Sequence, residues 1–407
     1  FVLAAMTGVP YRDVIIAATL PAIAYFLCLF LSASFQSRKQ GIEAFGELTD
    51  DMRISGEDIL HLCQILLPIL LILIFLLTPK DLVGCGAFGW VFGAEVLTTG
   101  SGCKVVSLPW VLQIFQNAAG DAGATGWWAA LFVTVLLFLD KDFRKSPRKL
   151  VYALAEAGIT VSTLYLMLLA VTVIDVCLNF TGVAKFVAID VLQFLRALDI
   201  GGGGSTIFQL VALTITMLLA VLLGMGMPAV PAYINGALLM GPMLIGLGIA
   251  NFTAHMFIFY FAIASAITPP VALAAFAAST ITKAEPMATG FSAVRSGIVM
   301  FAIPFVFAFY PELLLVDQAL IDPSSSSGAR LPGYENGVQI GTLMWLIARL
   351  VLALYLVASA LAAHDAKSLS FVWIVIRLAT AAAILVKPEM VHFAAIAFAI
   401  GLLALHH

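Results

Sequence analysis

Hydrophobic runs of membrane-crossing length recur along this chain, separated by short polar stretches. Residues 1–8 read as a helix end and 13–34 as a full span, since about 20 apolar residues at about 1.5 Å each cross a hydrocarbon core. A polar segment, 35–58, precedes a second span over 59–79. Residues 80–125 are Gly-rich and poorly periodic, with room for a short re-entrant or interfacial helix. A span over 126–140 opens on Trp127 and Trp128, as an interfacial aromatic belt would. Residues 148–157 read as an interfacial amphipathic helix and 158–178 as a span. After the glycines 201–204, a run over 205–223 leads into the segment 222–276. Spans follow at 296–313, 341–363, 371–387 and 391–405.

The segment 222–276 is apolar enough for a bilayer, yet it is broken twice. The first break is Gly224-Met225-Gly226-Met227-Pro228, with Pro231 beyond it. The second is Ser265-Ala266-Ile267-Thr268-Pro269-Pro270. Proline has no N–H and clashes with the preceding turn, and glycine weakens a helix. Each break frees main-chain groups, which hydrocarbon tolerates only where they are buried in protein or line a cavity. Two multi-residue breaks this close read as a binding site rather than as ordinary kinks.

Composition sets the class. Hydrophobic residues make up 62% and charged residues 11%, which excludes an ordinary soluble domain and, with the long apolar runs, a barrel. The net charge of −3 and the lack of an extended basic block give no reason to expect nucleic acid. The stretch 35–58 carries Arg38, Lys39 and Arg53 and 141–149 is the most basic run, whereas 80–125 has only Lys80 and Lys104, so the first two are placed in the cytoplasm and 80–125 outside. The five cysteines show no metal-type spacing; free thiols are expected, with a Cys85–Cys103 disulfide as the alternative if that loop faces an oxidising side. Phe1 lies inside a hydrophobic sequence with no signal peptide, so the chain is expected to be a fragment.

An internal echo links FVLAAMTGVPYRDV at 1–14 to FAASTITKAEPMAT at 276–289. Each is a small-residue helix end, then a Pro-containing polar turn, then a span. The loop after the first span is basic and the loop over 314–340 is not, as an inverted-topology repeat requires.

The runs Gly224-Met225-Gly226-Met227-Pro228 and Ser265-Ala266-Ile267-Thr268-Pro269-Pro270-Val271-Ala272-Leu273-Ala274-Ala275 resemble the large membrane subunit of tripartite ATP-independent periplasmic (TRAP) transporters. The likeness is to the type fused to its small subunit. Phe180-Thr181-Gly182, Lys185-Phe186, His255-Met256-Phe257, Lys283-Ala284-Glu285-Pro286 and Pro311-Glu312-Leu313-Leu314-Leu315 extend the likeness over about residues 1–315. The resemblance implies an all-α polytopic membrane protein: an inverted-repeat secondary transporter with broken helices or re-entrant hairpins, working as an elevator, its first repeat incomplete here. It implies Na⁺-coupled import of small organic anions (carboxylates) across the bacterial inner membrane. The implied partners are a periplasmic substrate-binding protein, a four-span small subunit fused upstream, and membrane lipid. The other half of the site is expected upstream of Phe1, so this chain alone is not expected to transport. Three parts follow: 1–140, the rest of the first repeat and scaffold spans; 141–315, the second repeat with the broken-helix site; and 316–407, a loop and three-span tail.

Sodium is a hard ion that takes oxygen ligands. Candidate Na⁺ ligands are the backbone of Gly224, Gly226 and Ala266 and the carbonyls and hydroxyls of Ser265 and Thr268. Helix starts beyond Pro228 and Pro270 offer free amides to a carboxylate, so Pro228, Ala229, Tyr233, Asn235 and Pro270 are the candidate substrate contacts. For Tyr233 and Asn235, helix–helix contacts are the alternative. The family's usual Pro-Thr is Pro228-Ala229 here, which removes one hydroxyl. His255 is read as an interfacial histidine, Asp175 as solvated near a span end, and Arg349 and Arg377 as snorkelling or internally paired. An intramembrane enzyme is the competing class, but no HExxH or GxSxG motif is present. Another ion-coupled transporter or a channel is the remaining alternative.

Overall fold

The computed structural model describes residues 2–42, 56–78, 80, 83–85, 87–99, 102–138, 141–146, 148–182, 186, 190, 193, 206–225, 227–315, 340–365, 367–386 and 389–406. Among them, five helices are long and apolar enough to cross a membrane: Tyr11–Lys39, Ile207–Gly224, Ala229–Gly246, Pro286–Phe309 and Ile340–Ala362. The chain packs as two compact units. One comprises residues 3–15 and 45–165, the other 16–44 and 166–407.

In the first unit, α1 (Val2–Thr7) leads to the start of α2 (Tyr11–Lys39), and α3 (Gly56–Leu77) packs against α6 (Ala122–Leu137). Between α3 and α6 lie α4 (Ala87–Phe92), an antiparallel pair β1 (Glu95–Thr99) and β2 (Gly102–Ser107), and α5 (Trp110–Ala118). Thr99 stands opposite Gly102. This hairpin is a local addition to the helical fold that the sequence predicts. α5 and α6 meet at 116°, and Asp121 caps the turn by accepting from the Ala124 amide at 2.7 Å. Cys85 is disulfide-bonded, against the free-thiol expectation, whereas Cys28, Cys63 and Cys177 are free. After α7 (Lys141–Lys145), α8 (Arg148–Thr181) is continuous, so the expected interfacial helix and the span after it are one element. Nothing between 148 and 158 breaks a helix, which is why they merge.

The second unit holds both breaks. α9 (Thr206–Gly224), α10 (Ala229–Gly246) and α11 (Asn251–Ala264) pack on one another. A 3₁₀ turn, Ser265–Ile267, leads to α12 (Leu273–Thr282), which packs on α13 (Pro286–Gly297). A second 3₁₀ turn, Ile298–Phe301, joins α13 to α14 (Ala302–Phe309). The tail is α15 (Ile340–Ala362), α16 (Phe371–Leu385) and α17 (Glu389–His406), around a core of Leu356, Ala381, Ile384, Ala395 and Ala399.

The two echoing stretches share a local geometry. α1 ends on Gly8 with φ 72°, and Pro10 precedes α2; α12 ends on Lys283 with φ 57°, and Pro286 opens α13. A left-handed residue ends a helix and proline starts the next one well.

Buried charge fixes the tail. Arg349 donates to the carbonyl oxygens of Ile384 (2.9 and 2.7 Å) and Val386 (3.2 Å) at the C-terminal end of α16, and lies over the Tyr310 ring. Helix C-termini attract cations, so Arg349 needs no carboxylate here. Arg377 pairs with Asp365 at 2.7 Å, with the two side chains 0% and 1% exposed, and also donates to Ser359 Oγ at 2.6 Å. Both arginines pair internally; neither snorkels. Lys39 donates to the Ala362 carbonyl at 2.9 Å, tying α2 to the end of α15.

Candidate functional site

The first break begins where α9 stops at Gly224. The Met225 amide still bonds Val221 O at 3.1 Å, and the Met227 amide turns back to Gly224 O at 3.2 Å. Pro228 then sets the N-terminal end of α10 with φ −60° and ψ 155°. Ala229 and Val230 follow in its first turn, where amides have no intrahelical acceptor. Gly226 lies outside the described residues.

At the second break α11 tightens into the 3₁₀ turn. Thr268 is extended, Pro269-Pro270 is cis, and Ala272 has φ 27° before α12 starts. The prolines decide which carbonyls are left open. The residues three and four ahead of Ala266 are Pro269 and Pro270, neither of which has an N–H. The Ala266 carbonyl therefore has no amide to accept from in its own helix. Ser265 O accepts from the Thr268 amide at 3.1 Å, and Thr268 O from the Ala272 amide at 3.2 Å. Both hydroxyls point their protons backwards, Ser265 Oγ donating to Ala262 O at 2.6 Å and Thr268 Oγ1 to Ala264 O at 2.9 Å. Each hydroxyl oxygen keeps lone pairs for a further partner.

The breaks touch. A Cβ built on Gly224 would lie 2.5 Å from Ser265 Oγ and 2.8 Å from Ser265 Cβ, and only glycine allows that approach. Ser265 is 1% exposed. The other side of the second break rests on α13, where a Cβ on Gly290 would lie 3.1 Å from Pro269 Cγ. Of the candidate residues, Gly224 and Ser265 are thus brought into contact across the two breaks. Gly224 and Ser265 are buried, Ala266, Thr268 and Pro228 half-buried, and Ala229 and Pro270 exposed.

Tyr233 and Asn235 sit deeper. Tyr233 is 1% exposed, and its hydroxyl lies 2.7 Å from Nδ1 of His255, a hydrogen bond across α10 and α11. This gives Tyr233 a helix–helix role. It also makes His255 a buried histidine rather than an interfacial one. Asn235 is 9% exposed; Nδ2 reaches Met227 Sδ at 3.6 Å, and Oδ1 has no hydrogen-bond partner. That oxygen sits beside the first break and is the polar atom the sequence pointed to least sharply. The Asp175 side chain lies outside the described residues.

Among the described residues no group of three or more His, Cys, Asp or Glu side chains is placed to hold a metal ion. The site offers main-chain carbonyls, two hydroxyls and an amide oxygen, a hard and uncharged donor set suited to an alkali cation. The sequence profile of the tripartite ATP-independent periplasmic transporter, DctM component, matches residues 1–319. The chain belongs to that family. It is a large, multi-pass membrane subunit of a TRAP transporter, and its family is one of transporters rather than enzymes. The match ends before α15, so the three-helix tail lies beyond it. No curated protein and no solved structure matches the chain.

Proposed function

We propose that this TRAP subunit is the permease of a Na⁺-coupled importer of organic anions, carboxylates in particular, loaded by a periplasmic substrate-binding protein. The observation that carries the reading is the contact of Gly224 with Ser265. It sets the end of α9 against the Ser265 hydroxyl at the start of the second break, and the same break carries the Ala266 carbonyl and the Thr268 hydroxyl, oxygen donors of the kind a coupling cation takes. Substrate chemistry comes from the other ends of the same breaks. The first turns of α10 and α12 begin immediately after Pro228 and Ala272, and free amides with a positive dipole end favour a carboxylate.

The matched helix ends at Gly8 and Lys283 support an inverted-repeat arrangement and an elevator motion of the broken-helix region. The disulfide at Cys85 supports placing 80–125 on the oxidising, periplasmic side of a bacterial inner membrane. A four-span small subunit completes the proposed assembly, fused upstream in this type.

The test is uptake of a labelled carboxylate into vesicles containing the assembled transporter, with its binding protein outside. Uptake driven by an inward Na⁺ gradient, absent with K⁺ and absent without the binding protein, is the expected result. Uptake indifferent to Na⁺ would overturn the coupling, and uptake without the binding protein would overturn the delivery step.

A further inference from the structure

Behind the second break, on the side of Ala266 and Ile267, lies a cavity of about 470 Å³. One wall is α2, where Ala18, Ala22 and Tyr25 fall on one helical face. α14 and the turn before it supply the opposite wall with Met300, Phe301 and Pro304. Small side chains help to leave the space open: Ala18, Ala22, Ala264, Ala266 and Ala274 all line it. Among the described residues no charged side chain lines it, and the side-chain oxygens that do are the hydroxyls of Tyr25 and Tyr260.

Water needs two or more polar partners, and apart from the two tyrosine hydroxyls the side chains lining this space are apolar, so water is a poor occupant of most of its volume. The space is also several times the roughly 150 Å³ of an apolar hole that stays dry and takes up benzene. Lining atoms with no partner across a gap lose their dispersion contacts, so an apolar occupant is favoured over an empty space. A carboxylate is not that occupant, since no cation or positive side chain faces the cavity. The rim identifies the source. Ile263 lines the cavity and is 40% exposed, and Ile23 and Phe26, next to Ala22 and Tyr25 on α2, are strongly exposed apolar residues of a membrane-crossing helix. The cavity is therefore continuous with lipid-facing surface.

From this we infer that a phospholipid acyl chain enters between α2 and α14 and packs directly on Ala266 and Ile267. The chain fills the back of the break whose front faces Gly224. Movement of the break must then shift the chain, which couples the site to the bilayer. The inference needs only a membrane-embedded chain and stands apart from the cation reading.

It is tested in vesicles holding the assembled transporter and a trace of phosphatidylethanolamine with a photoactivatable diazirine at mid-chain, without Na⁺ or substrate. Irradiation and peptide mapping are expected to find adducts on Tyr25, Tyr260 or Met300, as well as on the outward-facing Phe398. Ala22→Phe fills the α2 wall and is expected to lower the cavity adducts several-fold while leaving those on Phe398 unchanged. Ala18→Leu serves the same purpose if Ala22→Phe does not assemble. Labelling of Phe398 without any cavity adduct, or cavity labelling unaltered by the filling variant that assembles, overturns the proposal. Because no uptake is measured, failure here is distinct from failure of Na⁺ coupling.

Discussion

Adding one methyl group at Gly224 probes the junction of the two breaks. A Cβ there would stand 2.5 Å from Ser265 Oγ and 2.8 Å from Ser265 Cβ, so Ser265 must move. Overpacking of a close-packed interior costs about 1–3 kcal/mol. Moving the hydroxyl also breaks its 2.6 Å bond to Ala262 O, which adds about 1 kcal/mol. Gly224→Ala should therefore destabilise the second unit by about 2–4 kcal/mol, the sum of those two effects. Ser265→Gly removes both colliding atoms, so Gly224→Ala/Ser265→Gly should recover most of the packing loss. That makes the two substitutions coupled by about 1–2 kcal/mol, well above the additivity limit for independent sites. Stability is read as thermal unfolding of the detergent-solubilised transporter, and Na⁺ dependence as the half-saturating Na⁺ concentration for uptake. The double variant should regain stability but not Na⁺ affinity, because the Ser265 oxygen is gone. Additive losses of stability, or a Gly224→Ala protein identical to the parent in both assays, would refute the contact of the two breaks.

Thr268→Val keeps the shape of the side chain and deletes the hydroxyl; it should raise the half-saturating Na⁺ concentration while Thr268→Ser leaves it near the parent value in the same uptake assay. Tyr233→Phe leaves His255 Nδ1 without its 2.7 Å partner and should cost about 1–3 kcal/mol of thermal stability, with the substrate half-saturation unchanged. Asp365→Asn leaves the Arg377 guanidinium buried without its counter-charge and should cost about 3–5 kcal/mol, seen as early protease cleavage of the tail; Asp365→Asn/Arg377→Met should restore much of it.

The local grammar of the chain was readable where a residue acts on its own backbone. Proline and glycine announced both breaks, and the loss of amide partners at Ala266 follows from Pro269 and Pro270 without any tertiary information. The starts and ends of α9 and the tail helices followed from apolar run length to within two residues, whereas α2 runs on past its apolar stretch to Lys39. Contacts between distant elements were not readable in the same way. Tyr233 and His255 meet only because α10 and α11 fold back antiparallel through the turn at 247–250, and His255 looked interfacial while that turn was unplaced. The hairpin over Glu95–Ser107 carried a signal, β-branched residues on either side of Gly100-Ser101, but the low periodicity of 80–125 masked it. The Arg377–Asp365 pair joins a helix to the loop before it, and a carboxylate in a loop reads as solvated until the packing is known.

Pro269 and Pro270 hold the central claim, because they leave the Ala266 carbonyl without an amide in its own helix and so free for the proposed cation. Replacing both with alanine supplies the missing N–H groups and lets helix hydrogen bonds close over that oxygen. The decisive measurement is the thermal unfolding temperature of the parent and of Pro269→Ala/Pro270→Ala as Na⁺ replaces K⁺ at constant ionic strength, since a ligand that binds only the folded state raises it. The parent should be stabilised by Na⁺ over K⁺ and the double variant should not; an equal Na⁺ response in both proteins would contradict the account.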